Sequence, residues 1–502
     1  MNTEMPREEF FVEARGDDIM IEVTRWNLSI ASVLLGAFWL LHSWWIPWSQ
    51  DEGLYLLASQ QLSRGWILYK DFAFQQMPLY PFLLQGWQVI FGHGLHSGRL
   101  FSFLWVILLG FAFWIVCRKR GMPPEMGLAC FVLLLIHPLG WRYLPLVKPH
   151  ALSLACAGLG WIFLEETSDN STRERNLVHL GSGFLIGTAL NTRLLFAPFA
   201  LIALIFYIRT LRGIALYILG LGLTSVLSIY FLIRYPDQTL FNWFGYHQLR
   251  GSLATWHQWG AQIHSFFGAF SYWQWGPLFL LALLGTAVAF HERSSCKASM
   301  RYLVAATIIA LPAFRLVPLY DEYFLPFLFF FLIAVFALAE RHSVIRWVTL
   351  ASVAIGFLAL TPDIAADIRT ALGPPDRELM NGVRAVARVA AAIRHYSEPD
   401  TPILAWWNGY VVSSERDPFP KVTEGLGVIK MAGKLSKEQS NTYRVATIEE
   451  IQEGIRACRA PLVVTGLATP SGFIEILEAN YEKLETVEGA GIYRPFRCPP
   501  SL

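Results

Sequence analysis

From Trp26 to Leu360 the apolar residues fall in blocks of about 15 to 22, the length at which an α-helix crosses a hydrocarbon core of roughly 30 Å. That pattern makes the bilayer the solvent for most of the chain. Only 16% of the 502 residues are charged, against the roughly 25% usual for soluble domains, while 54% are hydrophobic. So few charges cannot cover a water-facing surface. The net charge of +2 has no face-wide basic excess behind it, and nucleic acid is not an expected partner.

The blocks predict spans at Trp26 to Trp45, Leu100 to Cys117, Met126 to Leu139, Leu152 to Leu164, Leu177 to Leu190, Leu194 to Ile208 and Ile214 to Ile233. Further spans follow at Trp275 to Phe290, Tyr302 to Phe314, Phe324 to Ala339 and Trp347 to Leu360, about eleven in all. Short connections rich in Arg and Lys, among them Arg118 to Arg120, Arg209 with Arg212, and Arg341 with Arg346, fall on alternate loops, hence all on one side. By the positive-inside rule those loops and the N-terminus are cytoplasmic. Residues 1–24 are mixed in charge and lack the features of a removable signal peptide, so the first span is expected to act as an uncleaved signal.

The expected organisation is a tail over 1–24, a mainly α polytopic bundle over 25–362, and an extracytoplasmic α/β domain over 363–502. In that domain the pattern predicts helices around Leu379 to Ile393, Ile448 to Cys458 and Phe473 to Asn480. Strands are expected at Ile403 to Trp406 and Leu462 to Thr465, with an edge strand at Gly491 to Tyr493. Cys117, Cys130, Cys156 and Cys296 read as apolar packing residues, whereas Cys458 and Cys498 are placed where a disulfide persists.

Three external segments are long: Pro47 to Arg99, Arg234 to Trp273, and everything after Thr361. Such loops on a helical scaffold are where function concentrates. The first opens with Ser49-Gln50-Asp51-Glu52-Gly53-Leu54-Tyr55 and continues as an amphipathic helix in the membrane interface. Locally, Ser49 with Glu52 fits a capping box, and Asp51 suits the first turn of a helix. Gly65-Trp66-Ile67-Leu68-Tyr69-Lys70-Asp71-Phe72, Pro78-Leu79-Tyr80-Pro81 and Arg99 at the mouth of the second span follow in order.

In that order and position these motifs resemble the GT-C glycosyltransferases, specifically the bacterial membrane enzymes related to protein O-mannosyltransferases and to the aminoarabinose transferase of lipid A. The resemblance implies a GT-C bundle with interfacial helices in the first external loop. It also implies a polyprenyl-phosphate sugar donor among the lipids of the bacterial inner membrane, and inverting transfer to an acceptor on the external face. Protein, lipid and glycan all remain open as acceptor. Asp51 is then expected to act as general base toward the acceptor hydroxyl, or to orient it, in a cavity shared with Asp71 at headgroup depth. Glu52 and Asp71 are candidates for a second carboxylate, holding a sugar hydroxyl or a divalent cation (Mg or Mn); no metal ligand set is assigned.

Related enzymes carry Lys before the Pro-Leu turn and Arg within the acidic motif, where this chain has Met77 and Leu54. Donor-phosphate binding is therefore expected from Arg99, Lys148 with His150, Arg193, and Arg315 with Tyr320. Tyr55, Tyr69, Tyr246 and His247 are the expected sugar-contacting residues, and Asp321 with Glu322 read as helix-capping carboxylates. The rival class is a transporter or lipid flippase. Such a protein places ionisable residues at mid-membrane, whereas here they collect at span ends.

Overall fold

The computed structural model describes residues 29–165, 172–251, 256–270, 297–315, 320–339, 343–372, 380–423, 425–467, 469–470 and 472–496. The chain is a multi-pass membrane protein: every expected span carries helix except Trp275 to Phe290, which lies outside the described residues. Elements α1 (Ser29–Trp45), α2 (Glu52–Ser63), α3 (Leu79–Phe91), α4 (Leu95–Lys119), α5 (Pro124–Ile136), α6 (Pro138–Tyr143), α7 (His150–Glu165) and α8 (Thr172–Thr192) form the first part of the bundle. Helices α9 (Ala197–Tyr207), α10 (Leu211–Thr224) and α11 (Val226–Arg234) follow. Near its centre runs the helix Leu325–Ala339, whose residues Phe327 to Ala337 are all buried. A helix apolar on every side belongs in that position.

By length and composition two described helices cross a membrane unaided, Leu95–Lys119 and Ile345–Thr370, so the expected count of eleven full crossings is not established by this criterion. The block expected as one span over Ile214 to Ile233 is instead broken at Ser225, where α10 and α11 meet at 62°. The break has a local cause. Ser225 Oγ donates back to the Leu221 carbonyl at 2.8 Å, while Asn191 of α8 donates to Ser225 Oγ at 2.9 Å and accepts from Ser228 Oγ at 2.6 Å. Hydroxyls bonded into the helix ladder bend it, and a neighbouring amide holds the bend.

The final bundle helix, Ser343–Leu372, continues through Pro362, so the domain boundary expected at 363 falls within it. Beyond residue 380 lies a five-stranded mixed sheet, ordered β2-β1-β3-β5-β4, from β1 (Pro402–Ala405), β2 (Asp417–Pro418), β3 (Leu462–Val464), β4 (Tyr481–Val487) and β5 (Ala490–Pro495). β1 is parallel to β2 and β3, and β5 is antiparallel to β3 and β4. The strand expected at the edge is therefore an inner one; β4 covers it through a turn in which Glu488 and Gly489 have φ of 51° and 78°. Two successive positive φ values mark the tight hairpin that joins twisted strands. Of the two cysteines placed where a disulfide could persist, Cys498 lies outside the described residues.

This α/β lobe clasps the loop that opens after α1. Trp48 and Asn381 exchange two hydrogen bonds of 2.8 Å, Trp407 Nε1 donates to the Gln50 carbonyl at 3.3 Å, and Arg64 pairs with Asp417 while reaching the Glu415 carbonyl at 2.9 Å. Gly53 makes the approach close: a Cβ there would stand 2.7 Å from the Gly409 backbone nitrogen. Further along, Thr423 donates to the Ala73 carbonyl, Arg444 to that of Lys70, and Phe241 stacks on Tyr443 at 3.8 Å.

Beneath the loop Glu52 and Arg99 form an ion pair, both side chains fully buried. All five N–H donors of the guanidinium are used: two on Glu52, and the others on the carbonyls of Ser43, Ile46 and Pro47. Glu52 in turn accepts from Ser49 N–H at 2.8 Å and Val147 N–H at 2.9 Å. One pair thus ties the end of α1, the start of α2, α4 and the segment before α7. Arg99→Leu would leave Glu52 charged and alone; we expect a loss of about 3–5 kcal/mol in thermal unfolding of the detergent-solubilised protein, partly recovered in the Glu52→Leu/Arg99→Leu double variant.

Candidate functional site

Asp51 precedes Glu52 at the head of α2, and the two point to different places. While Glu52 is sealed inside, the Asp51 side chain is 51% exposed and sets Oδ2 2.7 Å from Lys148 Nζ. The neighbouring residues repeat this match one step along: Glu52 holds the Val147 N–H, and Asp51 holds the next side chain, Lys148. Segment 146–148 is fixed from its other side by α4. Ser102 Oγ donates to the Leu146 carbonyl at 2.8 Å, and Gly98 lacks the Cβ that would meet the Val147 methyls at 2.8 Å.

Lys148 is 4% exposed and answers two carboxylates, for Glu322 Oε2 also lies 2.7 Å from its Nζ. Its ammonium stands 5.7 Å from the centroid of the Tyr143 ring. Behind it, Arg193 Nη1 meets His150 Nδ1, and His150 Nε2 faces Glu322 Oε2 at 3.5 Å. A guanidinium can only donate, so Nδ1 is the accepting nitrogen and the ring proton sits on Nε2, toward the carboxylate. Arg193 also lies over Tyr323, 5.6 Å from the ring centroid. Four bundle segments and the loop therefore converge on a compact set: Asp51, Lys148, His150, Arg193 and Glu322.

The electrostatics follow from this packing. Burial opposes the charge on Lys148, but the Asp51 and Glu322 carboxylates outweigh it and hold the ammonium above the usual lysine range. Burial likewise opposes ionisation of Glu322, yet Lys148 first, then His150 and Arg193, hold its carboxyl well below the usual range. Tyr55, on the next turn of α2, lies in the field of the same charges, and burial pushes its phenol well up. Its ring meets Tyr80 and Phe74 edge to face.

The other expected site residues are placed elsewhere. Arg99 has no donor left for a phosphate, and Glu52 no oxygen left for a sugar; both belong to the buried anchor. Asp71 accepts from Ile67 N–H at 2.7 Å within its own turn, whereas Asp51 pairs with Lys148. Tyr69, at φ 65°, donates to the Gln76 carbonyl and accepts from Trp243. His247 Nε2 donates to the Gln75 carbonyl at 3.0 Å, and Tyr246 is buried in the core of the α/β lobe. Tyr320 leads the turn Asp321–Phe324, its ring 5.9 Å from that of Tyr323. The side chain of Arg315 lies outside the described residues.

Glu322, read from sequence as a capping group, is the cluster's second carboxylate. Its signal was the Tyr320-Asp321-Glu322-Tyr323 stretch at the start of a late span. A divalent cation bridging Asp51 and Glu322 would need the place that the Lys148 ammonium holds, so this donor set does not fit a metal.

The sign of the pH dependence is fixed by these shifts. With its folded pKa depressed, Glu322 contributes stability that is complete above the unfolded value of ~4.3 and declines as acid protonates the unfolded chain first. Lys148→Met removes its main counter-charge. The variant is expected to melt below wild type at pH 7, with the gap narrowing as pH falls below ~4.3; melting curves across that range check it, and a constant gap would count against the pairing.

Neither a family profile nor a curated protein matches the sequence. Among solved structures the chain is similar to ArnT from Cupriavidus metallidurans in the apo state, with a TM-score of 0.67 and 13% identity over 96% of this chain and 100% of that one. It is also similar to ArnT from the same organism bound to undecaprenyl phosphate, with a TM-score of 0.64 and 13% identity over 95% of this chain and 100% of that one. The likeness spans bundle and α/β lobe together and establishes the fold, the GT-C fold expected from the opening loop.

Proposed function

We propose that the protein is a membrane glycosyltransferase that moves a sugar from a polyprenyl-phosphate donor to a hydroxyl acceptor. The observation that carries this reading is a half-exposed Asp51 carboxylate held against a buried, doubly countered Lys148 at the lip of the bundle. A donor phosphate needs cations where its negative charge grows, and Lys148 and Arg193 supply them. A phosphate arriving at Lys148 competes with Asp51 for the same ammonium and frees the carboxylate. Asp51 then takes the proton of the acceptor hydroxyl as its oxygen bonds to the anomeric carbon. The bond from that carbon to the phosphate oxygen breaks, its electron pair stays on the oxygen, and polyprenyl phosphate departs.

With Asp51 acting as base rather than as nucleophile, the displacement is direct and inverts the anomeric centre. The likeness to an ArnT structure bound to undecaprenyl phosphate supports a prenyl-phosphate donor. The fold and the basic loops support a place in the bacterial inner membrane, with the cluster and the α/β lobe outside.

Purified protein given radiolabelled polyprenyl-phosphate sugar and a membrane extract as acceptor source is expected to pass the label on. Asp51→Asn should slow that transfer by about 10²–10⁴-fold while the variant still folds and inserts. Undiminished transfer by the variant removes Asp51 from the chemistry. Movement of label across vesicles without transfer would favour a transporter.

A further inference from the structure

Between α1, α4 and α5 lies a cavity of about 830 Å³, within the range of roughly 300–1,000 Å³ typical of small-ligand pockets. None of the cluster residues lines it. Gly36, Gly110 and Gly127, one from each helix, line it together with Trp39, and a Cβ at Gly36 would stand in open space. Along α4 the wall runs from Phe103 to Arg118, about 22 Å at 1.5 Å per residue. Since α4 is a full-length apolar span, most of that wall lies at hydrocarbon depth.

The wall changes character at one end. Arg118, in the last turn of α4, is exposed, stands 5.4 Å from the Trp114 ring centroid and has no carboxylate partner among the described residues. The opposite end of α4 carries Arg99, which is saturated inside the anchor. The two arginines are separated by about 28 Å of helix, nearly a bilayer's hydrocarbon thickness. A phosphate at Arg118 is therefore in the other leaflet from the Asp51 cluster.

We infer that this cavity holds the acyl chain of an anionic phospholipid from the leaflet at the basic end of α4, with the lipid phosphate on Arg118. An apolar trough bounded by an aromatic ring and one unpaired cation matches the order of parts in such a lipid: tail, interface, charged head. The assignment is independent of the glycosyl-transfer reading, because it uses none of that site's residues.

Gly36 offers a clean test, since a Cβ added there meets nothing within 4 Å. The full chain, purified in mild detergent, would be supplied with phosphatidylglycerol or phosphatidylcholine of equal chain length and read by native mass spectrometry. Wild type is expected to retain phosphatidylglycerol in preference to phosphatidylcholine. Gly36→Phe should lose the adduct, and Arg118→Gln should keep lipid with its anionic preference reduced roughly fivefold, the effect of one cation beside an anionic headgroup. An adduct undiminished in Gly36→Phe, or a wild type that retains no lipid or does not distinguish the two, overturns the inference. Should Gly36→Phe melt early, the headgroup preference of Arg118→Gln decides alone, and an unchanged preference is the overturning result.

Discussion

A charge sealed inside this bundle is tolerable only because every one of its bonds is met. Arg99 and Glu52 spend their hydrogen bonds on each other and on backbone groups from α1, the opening loop and the segment before α7. The carbonyls at the end of α1 are among those a helix leaves unpaired, and the guanidinium takes up Ser43 and Ile46 directly. Connections that sequence presents as loops are thereby held as firmly as the helices they join.

That anchor sets the chemistry one residue away. Because Asp51 and Glu52 are consecutive, and Val147 and Lys148 are consecutive, fixing Glu52 on Val147 brings Asp51 to Lys148. Two carboxylates and two cations then balance within a patch that buries Lys148 but leaves Asp51 open. A site so arranged stores cationic charge for an incoming anion without leaving any of it bare.

How much of this could be read from residues alone depended on distance in the chain. The bundle and the placing of charges at span ends came from local pattern, and the resemblance of the opening loop made Lys148, His150 and Arg193 candidates for a phosphate. Telling Arg99 from Lys148 did not, because what separates them is whether their donors are already spent, and three of Arg99's five donors go to carbonyls some fifty residues upstream, with no side-chain signature. Glu322 was visible as a carboxylate at a helix start, but its meaning comes from Lys148, 174 residues earlier. β4 was missed for a simpler reason: an outer strand with a single buried residue shows little of the apolar alternation by which strands are recognised.

The clasp of the α/β lobe on the first loop bears on how such a protein can be divided. Trp48 and Gln50, the residues just before Asp51, give backbone groups to Asn381 and Trp407. A bundle cut off before residue 380 would uncover those groups and the face of α2 that Gly53 shapes, so the membrane half is not a self-sufficient module. Domain shuffling, by evolution or by engineering, has to carry the lobe and the opening loop as a single heritable unit.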